Sequence, residues 1–178
     1  MAEPMTVHLE IWPLAADETG LWLVSGDDAL RPPVAVAADE AVDAEVRLAL
    51  YAAFGTRTEL PIVHGTSVRQ DGPWLIVTHV AVLEIAPGAL VLDRWADAAP
   101  ISPSLVPAIG KPAAHDPARA PERIRHADVL VHAVRHLAFL RLYDRSAAEA
   151  LPPLMIEHLA KWEPALAGLY DQPWPKAG

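Results

Sequence analysis

The stretch from Trp74 to Ile85, Trp-Leu-Ile-Val-Thr-His-Val-Ala-Val-Leu-Glu-Ile, constrains the fold more than any other. Taken as a strand, it is apolar on both alternating faces: Leu75, Val77, His79, Ala81, Leu83 and Ile85 on one, Trp74, Ile76, Thr78, Val80, Val82 and Glu84 on the other. A strand covered on one side alternates apolar with polar, so this one is expected to be covered on both. It is rich in Val and Ile and follows the turn signal Asp71-Gly72-Pro73. The pattern predicts the central strand of a mixed sheet with helices against it, a fold of the α/β (α+β) class.

Other elements follow from period and punctuation. Val7 to Trp12 alternates and predicts a half-buried strand ended by Pro13. Asp17-Glu18-Thr19-Gly20 predicts a turn into a second strand, Leu21 to Ser25. Arg31 to Val36 predicts an extended connection because of its paired prolines. Asp39 to Phe54 predicts a helix: acids load its start, and Val42, Val46, Ala49, Leu50, Ala53 and Phe54 form one apolar stripe before Gly55. Ile62 to Arg69 predicts a strand, and Ala89 to Trp95 the last one. Six prolines between Pro100 and Pro121 mark a connector. Beyond it the period becomes helical: Glu122 to Asp144, then shorter pieces at 147–150 and 154–162. The expected organisation is a mixed core at 1–99, a connector at 100–121 and helices at 122–178 packing on that core, as one domain. The helix at 122–144 should be buried on more than one side, either between the sheet and the last helices or at a homodimer interface.

Composition narrows the function classes. Hydrophobic residues make up 52% of the 178, which excludes general disorder. A net charge of −9 argues against a nucleic-acid partner, because phosphate backbones need clustered Lys and Arg; the arginines from Arg119 to Arg145 form one local exception. Without cysteine there is no disulfide, thiolate nucleophile or Cys-ligated metal. No apolar run is long enough to span a bilayer, and the first residues lack a signal-peptide pattern, so the expected compartment is the cytoplasm. Abundant Ala with scarce Lys is the composition of high-GC bacterial genomes.

The order of elements resembles the Nudix hydrolase family, over about residues 5 to 95 and the first C-terminal helix. The carriers are the hairpin Val7 to Ser25, the loop and acidic helix Gly26 to Gly55, and the hairpin around residues 67–74 leading into the long strand. The family signature ends Arg-Glu, apolar, any, Glu-Glu, any, Gly. With its Gly on Gly55, Leu48 and Ala49 stand at the Arg-Glu pair and Ala52 and Ala53 at the Glu-Glu pair. These side chains offer magnesium no oxygen. The resemblance therefore implies a Nudix-like domain that binds a small molecule or nucleotide without the family's metal-dependent hydrolysis. The alternative is a non-catalytic interaction protein, acting through its C-terminal helices as a homodimer or with a protein partner.

Candidate side chains are few. No catalytic residue and no cofactor are assigned. His79, the odd polar group of the long strand, with Trp74, Trp22 and Arg69, is a candidate ligand contact; a pocket lined by His79, Trp74 and the loop Gly26 to Val36 would favour the binding reading. His132 and His136, one helical turn apart, and the acids Asp39, Glu40 and Asp43 are the candidate metal ligands. The acids lack a fixed ligand spacing, and the two histidines have no Glu or Asp between them and Arg135 beside them; a favourably charged helix start and a polar helix face are the plainer readings.

Overall fold

A computed structural model describes residues 6–32, 35–36, 42–55, 58–71, 74–103 and 126–166. Six strands form one mixed sheet: β1 (Thr6–Asp17), β2 (Gly20–Leu23), β3 (Ala35–Val36), β4 (Ile62–Asp71), β5 (Trp74–Val82) and β6 (Ala99–Ile101). The order is β4-β5-β1-β2-β6, with β3 pairing the start of β1. Both hairpins, β1–β2 and β4–β5, are antiparallel, and β1 runs parallel to β5 with Glu10 opposite Thr78 and Leu14 opposite Val82. The middle strand is thus β1, one position over from the expected β5.

β1 passes through Pro13 rather than stopping there. In a strand, the nitrogen and carbonyl of one residue point to the same neighbour. The Pro13 carbonyl accepts from the Val24 amide on the β2 side. The missing proline N–H is on that same side, at the end of the β2 ladder where residues 24–28 turn away, so the proline forgoes only a terminal bond. The same turn returns at Leu30, which exchanges two 2.9 Å backbone bonds with Ile11.

Two further expectations are corrected. Residues 89–95 hold a short helix, α2 (Val91–Arg94), in place of a strand. Its first amide is taken by the Asp17 carboxylate at 2.8 Å, a partner remote in sequence. Residues 100 and 101, placed in the connector, join Ala99 of the core in the edge strand β6 against β2, where Pro100 is tolerated because an edge has a side without a ladder. The rest of the connector, from residue 104, lies outside the described residues.

α1 (Val42–Phe54) buries Val46 and Leu50 and ends at Gly55, whose φ of +94° takes the left-handed conformation that closes a helix. It covers one face of the sheet, with Leu9, Ile11, Ala15, Ala81 and Leu83. α3 (His126–Tyr143), α4 (Arg145–Ala150) and α5 (Pro153–Leu159) cover the other, with Trp12, Leu14, Leu21, Val80 and Val82. Sheet and C-terminal helices thus share one core. α3 is buried toward the sheet and toward α4 and α5, through Val131, Val134, Leu137, Ala138 and Leu140; Leu142 and Tyr143 at its end are exposed. Among the described residues no helix is long and apolar enough to cross a membrane.

Candidate functional site

The cover of the sheet is uneven, and the site lies where it thins. Along β5, residues from Thr78 on are buried, whereas Trp74 is 50% exposed and Leu75 to Val77 are half-buried. On the α3 face of this end, parity brings together His8 and Glu10 from β1, Trp74, Ile76 and Thr78 from β5, and Arg69 from β4, which is in register with Ile76. The Ile11–Leu30 bridge sets Arg31 beside them, and His126, the first residue of α3, closes the side.

Glu10 is the anchor, with 0% exposure. Its Oε2 accepts from Arg69 Nη2 at 2.6 Å and Arg31 Nη2 at 3.1 Å. Its Oε1 accepts from Arg69 Nη1 at 2.8 Å, the Thr78 hydroxyl at 3.2 Å and the Trp12 indole at 3.3 Å. The Thr78 oxygen in turn accepts from Arg69 Nη1 at 3.0 Å. Burial alone would push the Glu10 carboxyl up; the hydrogen bonds and charge of Arg69, then of Arg31, outweigh it and hold the group below the ordinary glutamate value. Arg31 reaches outward as well, to Asp28 through Nη1–Oδ2 at 2.9 Å and Nη2–Oδ1 at 3.1 Å. Asp28 Oδ1 also takes His126 Nδ1 at 3.0 Å. Burial raises the Asp28 carboxyl, and Arg31, the Ala29 amide and His126 together bring it below its usual value.

Above this lattice is a cavity of about 180 Å³. Its apolar side chains are Pro32, Trp74 and Ile76; its polar wall is His8, Arg31, Arg69 and His126. The His8 and Trp74 rings meet at 5.0 Å, tilted by 48°, and the buried His8 Nε2 has no hydrogen-bond partner among the described residues.

Of the ligand candidates, Arg69 and Trp74 come together here. His79 does not: it is buried on the α1 face, 3.9 Å from Asp43 and beside Gly65, and its imidazole is pushed down by burial against the pull of the Asp43 charge. Trp22 is on the β2 hairpin, its indole donating to Asp17 at 3.0 Å. The expected pocket of His79, Trp74 and the loop 26–36 is met in part: the loop contributes Arg31 and Pro32 beside Trp74, and His79 is not in its lining. Glu10, Arg31, His8 and His126 were not singled out in the sequence; the available signal was the shared even parity of His8, Glu10, Trp74 and Thr78.

Among the described residues the metal candidates do not converge. The His132 and His136 rings are stacked at 6.4 Å, and His136 stacks on His64 of β4 at 5.2 Å. The His136 Nδ1 proton goes to the Ala165 carbonyl at 3.2 Å. Asp43 is an exposed residue of α1, and Asp39 and Glu40 lie outside the described residues. Among the described residues no group of three His, Asp or Glu could hold a metal ion.

No protein-family model, curated protein or solved structure matches this chain.

Proposed function

We propose that this chain is a small-molecule-binding protein and that its site is the cavity beneath Trp74. The observation that carries this reading is the fully buried Glu10 held between two arginines. A buried ion pair is weak support for stability, because desolvation offsets its attraction and apolar side chains would fill the space as well. Its distinct physical effect is to fix two guanidinium groups in position under a half-exposed aromatic ring. Small-molecule sites have this make-up: an apolar wall with a few fixed polar groups. The reading agrees with a Nudix-like domain that binds without metal-dependent hydrolysis. The interaction reading has less support, since α4 and α5 of the same chain cover much of the apolar surface of α3.

The test is a thermal-shift screen of nucleosides, nucleotides and ring-bearing acids, followed by tryptophan fluorescence. A ligand at 100 times its Kd adds about 2.7 kcal/mol to the native state. Binders should raise Tm and change the fluorescence, and Trp74→Leu should abolish both responses. Binders whose responses persist in Trp74→Leu would place the site elsewhere.

A further inference from the structure

We infer that the ligand of this cavity is a small aromatic carboxylate, its acid group on Arg31 and its ring on Trp74; this rests on the binding reading above and specifies its ligand. The described wall of the cavity carries two guanidinium groups and two imidazoles and no carboxylate. Glu10 is beneath the wall with both oxygens taken by Arg69, Arg31, Thr78 and Trp12, so it presents no acceptor to a ligand. The two guanidinium charges are balanced by Glu10 beneath the wall and by Asp28 at its outer edge, so an anion enters by taking the place of Asp28.

Asp28 shows what Arg31 accepts. It engages Arg31 with two oxygens on two nitrogens, at 2.9 and 3.1 Å, the planar fork that a carboxylate fits. Arg31 Nη2 carries two hydrogens yet has three acceptors near it: Glu10 Oε2, Asp28 Oδ1 and His126 Nε2, each at 3.1 Å. The Asp28 and Arg31 side chains are 42% and 41% exposed, so this pair is the exchangeable one, whereas the Glu10 contacts are buried. An incoming carboxylate competes with Asp28 for the guanidinium, and Asp28 is a built-in weak inhibitor of its own site. Size sets the rest of the ligand: about 180 Å³ is below the ~300–1,000 Å³ of sites for drug-sized ligands, so it takes one ring with a short acid arm.

Benzoate, neutral benzamide and cationic benzamidine are near-isosteres that separate charge from shape. Their affinities for the whole chain are measured by calorimetry and by Trp74-dependent fluorescence, up to 20-fold above the weakest Kd found or about 20 mM at most. Benzoate should bind at least tenfold tighter than benzamide, with benzamidine weakest. Arg31→Gln should bring benzoate down to the benzamide level, and Asp28→Asn should tighten benzoate severalfold and leave benzamide unchanged. Both substitutions are at half-exposed side chains, and circular dichroism melts verify folding. If benzamide or benzamidine matches benzoate with the Trp74 signal intact, the carboxylate assignment is overturned and the site stands. If Asp28→Asn weakens benzoate, Asp28 is no competitor and the assignment is overturned. If none of the three binds, the aromatic-carboxylate assignment is overturned while the wider screen still decides the site; if binding ignores Trp74→Leu, the site itself is overturned.

Discussion

A carboxylate with no solvent exposure needs its charge balanced nearby, and at Glu10 the balance is two guanidinium groups. Glu10→Gln keeps shape but leaves Arg69, 13% exposed, without its bidentate partner. Removing one partner of a buried pair costs ~3–5 kcal/mol, so urea melts should show a loss of that size; a loss under about 1 kcal/mol, the scale of exposed pairs, would mean that Arg69 has another partner. Two other buried groups contribute to the acid limb of stability. Burial pushes the His136 imidazole down to about 4, with the Ala165 carbonyl opposing and His64 adding to it. The unfolded chain takes up this proton near ~6.5, so stability falls as pH drops from about 6.5 to 4, by up to roughly 3 kcal/mol, and this contribution is flat below. Asp17 is buried; burial raises its carboxyl, but Thr19, Val91 and Trp22 bring it down to about 2. The unfolded value is near ~3.9, so this stability is present above that pH and is lost between about 4 and 2. His136→Asn keeps a donor for Ala165 and removes the titrating ring. Its stability should decline less than the native protein's between pH 6.5 and 4; an unchanged slope would show that His136 is not the source.

Elements were legible where period and punctuation are local. The two hairpins follow from turn residues at 17–20 and 71–73, α1 from its stripe and Gly55, and α3 from the helical spacing of Val131, Val134, Leu137 and Ala138. Elements were missed where the deciding partner is remote. Pro13 continues β1 because its N–H is missing only at the end of the β2 ladder, beside Val24, and α2 starts where the carboxylate of Asp17 supplies a cap that no nearby residue offers. The site was half legible: Trp74 and Arg69 flank the second hairpin, but only the parallel register of β1 and β5 sets Glu10 beside Thr78. His79 is one residue out of phase with that face and so is on the other. The helices carry their own expectation. Leu137 is fully buried between the sheet and the last helices, so Leu137→Ala should cost ~2–5 kcal/mol. Retention of native stability would mean that α3 packs on one side only.

The molecule as a whole is a sheet with two covers and one thin corner. α1 covers one face and α3 to α5 the other, and the cover thins at the Trp74 end of β5. Reading both faces of residues 74–85 as apolar correctly required helices on both sides, yet gave no hint that the cover is incomplete, because Trp74 and Ile76 are equally apolar in a core or on a pocket wall. Net charge was similarly uninformative at this scale: −9 describes the surface and hides a cavity wall of two arginines and two histidines. The central claim, that ligand enters this corner, is tested most directly by the indole N–H signals of the six tryptophans in a ¹⁵N-labelled sample titrated with benzoate and with benzamide. The Trp74 signal should move furthest, Trp12, bonded to Glu10 under the cavity floor, should move less, and Trp22, Trp95 and Trp162 should stay. A stationary Trp74 at saturating probe, with another indole moving, would contradict the account.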